Sequence, residues 1–232
     1  MEYAQRNHAE AVLHDDHSGA RLMAPAATRN APAITEALMH HIRLRENHPI
    51  TMLELGSGTG QHAAHLVTEL TTLHVQPTDY DASARSSCDA YRDALPPQAM
   101  ARLAKAVALD LCAADATTPP CPFERGPTYD LVLCVNVLHI SPKAAMAGAV
   151  RHATAALHRG GLLAIYGPFL VDGRPTTDSN AAFDAKLKAM DVEFGLRDVA
   201  DVTAVLSAHG AFRHVETLPM PSNNFFLFYE RC

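Results

Sequence analysis

Three acidic residues stand near the ends of successive apolar runs: Glu54 in "ITMLEL", Asp79 in "LHVQPTD" and Asp110 in "KAVALDL". The first is followed by "GSGTG", which sets Gly56, Gly58 and Gly60 ahead of a helix-like segment. A turn without side chains lets backbone N–H groups and a helix N-terminus approach a ligand. A carboxylate at the end of the second strand, about twenty residues on, can accept hydrogen bonds from ribose hydroxyls, and Asp79 stands there. Asp110, at the end of the third strand, is placed to receive an adenine amino group. Together these residues describe a site for a nucleoside cofactor. The Gln61-His62 pair that follows the turn has two readings, a contact within that site or simply the solvent-facing first turn of the helix.

The elements needed to hold such residues are legible as an alternation. Runs 50–55, 73–79, 105–111, 128–139 and 162–167 read as strands, and 61–70, 82–95, 142–161 and 198–209 as helices. The helix 142–161 is expected to close at the Gly160-Gly161 pair. An earlier helix begins near residue 28, with Ile34, Leu38 and Ile42 at helical spacing and Pro32 in its first turn. "FRHVETLPM" and "NFFLFYE" read as a terminal antiparallel pair. Alternating strands and helices imply a Rossmann-like, doubly wound α/β sheet that is mostly parallel. Residues 112–127 and 167–182 read as long loops, a feature often tied to function.

The 232 residues suit one domain with a sizeable core. Nineteen Lys and Arg against 25 Asp and Glu give a net charge of −6, which argues against a nucleic-acid partner. The five cysteines include no C-x-x-C pair and fit reduced thiols. No apolar stretch approaches the ~18 residues of a membrane span, and the first residues lack a signal-peptide core. The expectation is a cytoplasmic protein without a membrane partner. "HDDH" at 14–17 invites a metal reading, but adjacent ligands arrange poorly for a closed site, and no metal is expected.

A nicotinamide cofactor would prefer G-x-G-x-x-G, whereas the E-x-G-x-G-x-G of "ELGSGTG" matches the turn of S-adenosylmethionine (SAM) methyltransferases. The chain resembles the class I SAM-dependent methyltransferases. More narrowly, it resembles the domain-of-unknown-function 938 family, which includes methyltransferase-like protein 26. The resemblance runs in order from about residue 24 to 230 through "ATRNAPAI", "LELGSGTGQHAAHL", "VQPTDYD", "LDL", "LVLCVNVLHISP", "LLAIYGPF", "SNAAFD", "GLRD" and "MPSNN". The chain departs from that family at Gly56, at Val75 and in the loop "CAADATTPPCPF". The resemblance implies a seven-stranded sheet with an antiparallel last strand, SAM as cofactor, and a domain over 23–232 with an N-terminal extension over 1–22.

On the matching motif positions, the candidate cofactor residues are Arg29, Asn30, Glu54, Gly56, Ser57, Gly58, Gly60, His62, Asp79, Asp110, Leu111 and Asn136. Candidates for the acceptor side are His139, Tyr166, Asn180, Arg197, Asn223 and Asn224. A lid is expected from the insertion at about 167–197. His139 titrates near neutral pH and can serve as a general base or as an orienting donor, with Tyr166 as the second catalytic candidate. The fork of Arg197 matches a carboxylate, so an anionic small-molecule acceptor is expected; a salt bridge to Asp198 is the structural reading of the same residue. The expected activity is methyl transfer to an O, N or S atom of a small metabolite. Alternatives are a SAM-binding interaction protein and a protein or RNA methyltransferase. The sequence assigns no oligomeric state.

Overall fold

Leu13–His14 (β1) and Leu22–Met23 (β2) pair antiparallel in the register Leu13↔Met23, His14↔Leu22. Helix α1 (Pro25–Arg43) follows, and Pro25 suits its first position because the first amides of a helix have no partner within it. The helix starts ahead of the expected residue 28, so Pro32 falls in its interior, where a missing amide deprives the Thr28 carbonyl of its donor. Ile34 and Leu38, one turn apart, are fully buried, and Ile42 is half-buried. This computed structural model describes residues 13–14, 20–43, 49–115, 117–123, 128–208 and 210–232. Asp15, Asp16 and His17 of the "HDDH" run lie outside the described residues.

Two compact units divide the chain. In the first, made by the described residues up to Leu109 with Pro119–Tyr129, strands β3 (Ile50–Leu55) and β4 (Leu73–Asp79) pair in parallel from Ile50↔Leu73 to Leu55↔Thr78. Every residue of β3 is buried, its polar Thr51 and Glu54 included, as expected of a buried strand. The third strand, expected over 105–111, is reduced to β5 (Val107–Ala108), because only Thr78↔Val107 and Asp79↔Ala108 pair with β4. Helix α2 (Gln61–Glu69) links β3 to β4. Helix α3 (Ala82–Asp93) is started by Asp81, whose carboxylate accepts from the Ser83 and Ala84 amides. A single turn, α4 (Pro97–Met100), precedes β5.

The second unit takes Asp110–Thr118 and Asp130–Cys232. Strand β6 (Tyr129–Val135) ends before the expected residue 139, because Asn136 adopts a left-handed backbone, φ 57°, which asparagine tolerates. Helix α5 (Ala144–Ala156) does not run to the glycine pair: Leu157 already turns extended, and Gly160 and Gly161 lie inside β7 (Leu157–Gly167). The stretch 167–182, expected as a loop, carries β8 (Phe169–Val171), β9 (Arg174–Pro175) and the start of helix α6 (Asp178–Met190). With β10 (Arg197–Asp198) the two strands make a small sheet in the order β10-β8-β9. Helix α7 (Val199–Ala208) and the antiparallel pair β11 (Phe212–Met220) and β12 (Asn224–Arg231) complete the chain.

The main sheet has seven strands in the order β11-β12-β7-β6-β3-β4-β5. β12 runs antiparallel to both β7 and β11, from Phe225↔Gly167 to Glu230↔Leu162 on the β7 side, so it alone opposes the rest. Among the described residues, no helix is long and apolar enough to cross a membrane.

Candidate functional site

The first unit presents a glycine turn whose shape is fixed by four neighbours. Gly56, Gly58 and Gly60 all have positive φ, at 65°, 56° and 86°, a conformation that favours glycine. At Gly60 an added Cβ would stand 2.6 Å from the Cα of Cys88, so the turn also needs glycine there to lie against α3. Ser57 bonds Thr78 twice, its amide to the carbonyl at 2.8 Å and its hydroxyl from the amide at 3.1 Å. Gly58 N–H donates to Asp79 Oδ2 at 2.9 Å, and the Cys88 thiol faces the Gly58 carbonyl at 3.5 Å. Ser87 donates its hydroxyl to the Thr59 carbonyl at 2.7 Å.

Two acids of this unit, Glu54 and Asp79, are buried. Asp79 ends β4, and its other oxygen accepts from the Asp81 amide at 2.9 Å. Each carboxylate oxygen has a second lone pair, so Asp79 keeps capacity for further donors. Burial raises its pKa, opposed by the two backbone amides. Glu54 is 1 % exposed, and burial pushes its pKa up to about 7 against the help of a hydrogen bond from Ser57. Its Oε2 is buried with no hydrogen-bond partner. A lone buried carboxylate oxygen is costly, and a donor group of a bound cofactor would satisfy it. His62, in the first turn of α2, is also buried, with Nδ1 unpartnered and its pKa pushed down to about 4 by burial and then by His65. The Gln61-His62 pair thus begins a helix, as one reading expects, but His62 does not face solvent. On α1, Asn30 is buried and Arg29 exposed.

Two groups of residues come together in the second unit. In the first, Asn136 N–H donates to the Tyr166 carbonyl at 2.9 Å. An added Cβ on Gly167 would meet His139 Nδ1 at 3.4 Å and Asn136 Oδ1 at 3.6 Å, so those side chains pack against that glycine. His139 lies in a 3₁₀ turn, Leu138–Ile140, with its ring edge-on to Phe183 and its carbonyl accepting from Gly195 N–H at 3.0 Å. Burial, and then the nearby Arg197 charge, push its pKa down to about 3. Arg197 Nη2 donates to the Ser141 and Glu193 carbonyls at 2.7 and 3.0 Å, and its Nε is buried without a partner. Asp198 instead accepts from Gly173 and Ala200 amides.

The second group ties α6 to the turn between β11 and β12. Thr177 caps α6, and Asn180 Nδ2 donates to Thr176 Oγ1 at 3.0 Å and to the Asn223 carbonyl at 3.1 Å. Asn223 stands in left-handed backbone, and Asn224 Nδ2 donates to the Tyr166 hydroxyl at 3.0 Å. Tyr166 is 2 % exposed. Asp110 is exposed and accepts from the Cys112 amide at 2.8 Å, while the Leu111 carbonyl lies against Gly148 of α5, where any Cβ would collide with it. Gly148, like Ser87 and Thr59, carried no signal in the sequence. Among the described residues, no group of three His, Cys, Asp or Glu is placed to hold a metal ion.

A mostly parallel seven-stranded sheet with one antiparallel strand is the fold of class I methyltransferases. The protein resembles an O-methyltransferase family 2 protein from Planctomyces limnophilus DSM 3776, solved in complex with apigenin, at TM-score 0.69 and 18% identity; the match covers 89% of this chain and 58% of that one. It resembles human N-acetylserotonin methyltransferase, solved with SAM, at TM-score 0.66 and 14% identity, covering 89% and 52%. It also resembles the magnesium protoporphyrin IX methyltransferase of Synechocystis PCC 6803, solved with bound SAH, at TM-score 0.60 and 15% identity, covering 86% and 82%. The chain therefore spans less than two thirds of the length of the first two. At these identities the likeness is one of fold. The model of the family described as "Protein of unknown function (DUF938)" matches residues 21–231, and the chain belongs to that family.

Proposed function

We propose that the protein is a SAM-dependent methyltransferase acting on an O, N or S atom of a small acceptor. The observation that carries this reading is the left-handed glycine turn beside Glu54, whose buried Oε2 lacks a donor, and Asp79, whose carboxylate already organises Gly58. Gly56, Ser57, Gly58, Gly60 and His62 would line the cofactor on this unit, with Glu54 and Asp79 accepting its donors; Arg29, Asn30, Asp110, Leu111 and Asn136 complete the proposed set. The cofactor, when bound, supplies an electrophilic methyl carbon on a sulfonium. The chain's part is to hold an acceptor atom in line with that carbon and keep water away, and orientation of this kind accounts for much of such an acceleration.

His139 is neutral throughout the physiological range because its pKa lies near 3, which makes it a weak base. We assign it the orienting role, a neutral imidazole bonding the acceptor, in preference to proton removal. The partnerless Nε of buried Arg197 supports an acceptor with an anionic oxygen. Tyr166, Asn180, Asn223 and Asn224 bond to one another or to nearby backbone and form the framework of the acceptor side.

The purified protein incubated with methyl-labelled SAM and cell extract tests the reading. Label is expected in the low-mass fraction. Label confined to protein or RNA would reverse the choice of acceptor. Absence of both transfer and SAM binding would favour an interaction role for the fold.

A further inference from the structure

Gln61 is the first residue of α2, and its side chain bonds three separate places in the first unit. Oε1 accepts from the Ala24 amide at 2.6 Å and from Thr59 Oγ1 at 3.0 Å, while Nε2 donates to Thr28 Oγ1 at 2.9 Å. Ala24 precedes the first residue of α1, so its amide has no partner inside the helix, and Gln61 supplies one. Thr59 is the residue between Gly58 and Gly60, and it is held a second time: Ser87 Oγ donates to its carbonyl and accepts from the Leu22 amide at 2.8 Å. The chain at residues 22–28 thus reaches the glycine turn twice, and both routes meet at Thr59. Neither Gln61 nor Ser87 is needed to satisfy α2 itself.

We propose that Gln61 is a positioning residue that couples the chain at residues 22–28 to the glycine turn, so that the turn takes its ligand-binding shape only when this segment is fastened. The bond from Thr59 fixes one side of a turn made of three left-handed glycines. Glycine gives such a turn more alternative conformations than any other residue does. A turn without this anchor samples those alternatives, and a ligand that needs one conformation then binds more weakly in proportion to the fraction lost. The proposal rests on the cofactor reading only where affinity is the measurement; the coupling itself is a property of the free protein.

Two variants separate positioning from mere presence. Gln61→Leu removes all three bonds. Gln61→Glu keeps them, since a carboxylate accepts from Ala24 and Thr59 and can accept from the Thr28 hydroxyl, and an acid suits the start of a helix. Thr28→Val, at an exposed position, removes one bond and serves if Gln61→Leu folds poorly. Hydrogen exchange of the amides of Ala24 and Ser57–Gly60 is read without ligand, and SAH affinity by calorimetry. Gln61→Leu is expected to speed exchange at both places about tenfold and to weaken SAH about tenfold, Thr28→Val to do less, and Gln61→Glu to stay within about threefold of wild type. Faster exchange at Ala24 with unchanged exchange at Ser57–Gly60 would overturn the coupling, as would SAH affinity equal to wild type in Gln61→Leu. Failure of the wild-type protein to bind SAH would strike the cofactor reading, while the exchange measurement would still decide the coupling.

Discussion

Gly60 and Gly173 share a left-handed backbone, φ 86° and 73°, but not their surroundings. A Cβ at Gly60 meets the backbone of Cys88, whereas nothing lies within 4 Å of one at Gly173. Gly173→Ala should cost only the backbone strain, about 1 kcal/mol, and Gly60→Ala that strain plus overpacking, about 3 kcal/mol. The thermal midpoint should fall by about 3 °C in the first and about 9 °C in the second. Equal losses would mean that α3 gives way to the added carbon. Buried titrating groups set a second prediction. His139 and His62, with pKa pushed down to about 3 and about 4, are neutral when folded, but take up protons near 6.5 once unfolded. Between pH 6.5 and 4 the unfolded state binds more protons, so stability falls as pH falls. Glu54 has the opposite sign, since its folded pKa of about 7 lies above the ordinary 4.5 and stability is lost as pH rises through that interval. Urea midpoints should show Glu54→Gln gaining on wild type between pH 5 and 8, and His139→Gln with a shallower acid limb. A gap between Glu54→Gln and wild type that is the same at both pH values would contradict a proton-binding Glu54.

At the scale of elements, α6 is held by its cap and by Asn180. Asn180→Ala removes bonds to Thr176 and Asn223 and should loosen the helix by about 1–2 kcal/mol. Limited proteolysis is expected to cut within 167–197 several times faster in the variant, with the strands of the main sheet unaffected; an unchanged rate would show that the helix is held without the Asn180 bonds, by Thr177 and by Phe183, Asp184 and Leu187. The sequence was most informative where a run is buried on both faces and closed by a turn: β3 and β4 have the expected bounds. It misled at Gly160-Gly161, because a glycine pair after an alanine-rich helix looks like a cap, whereas the backbone already turns extended at Leu157 and the pair lies inside β7. The sheet β10-β8-β9 was invisible because each member has two or three residues. The glycine turn and its acids were legible from spacing, but Ser87, which fastens it, is an ordinary polar residue whose partners, Leu22 and Thr59, are distant in sequence.

For the whole molecule, a net charge of −6 and an acid at the end of the second strand suit a compact nucleoside ligand better than a polyanion. A ligand that binds only the folded chain, at a hundredfold excess over its Kd, adds about 2.7 kcal/mol of stability. For a protein of this size that corresponds to a rise of about 5–11 °C in thermal midpoint. SAH at such an excess should produce that rise, and NAD at the same concentration should leave the midpoint within about 1 °C, because the turn spacing E-x-G-x-G-x-G departs from the one a pyrophosphate prefers. Asp79→Asn should lose most of the SAH effect, since the amide can accept at only one of the two atoms through which the carboxylate accepts. An NAD shift equal to that of SAH would replace the methyl-transfer reading with a nicotinamide one. A full SAH shift in Asp79→Asn would leave the cofactor in place and remove Asp79 from its binding.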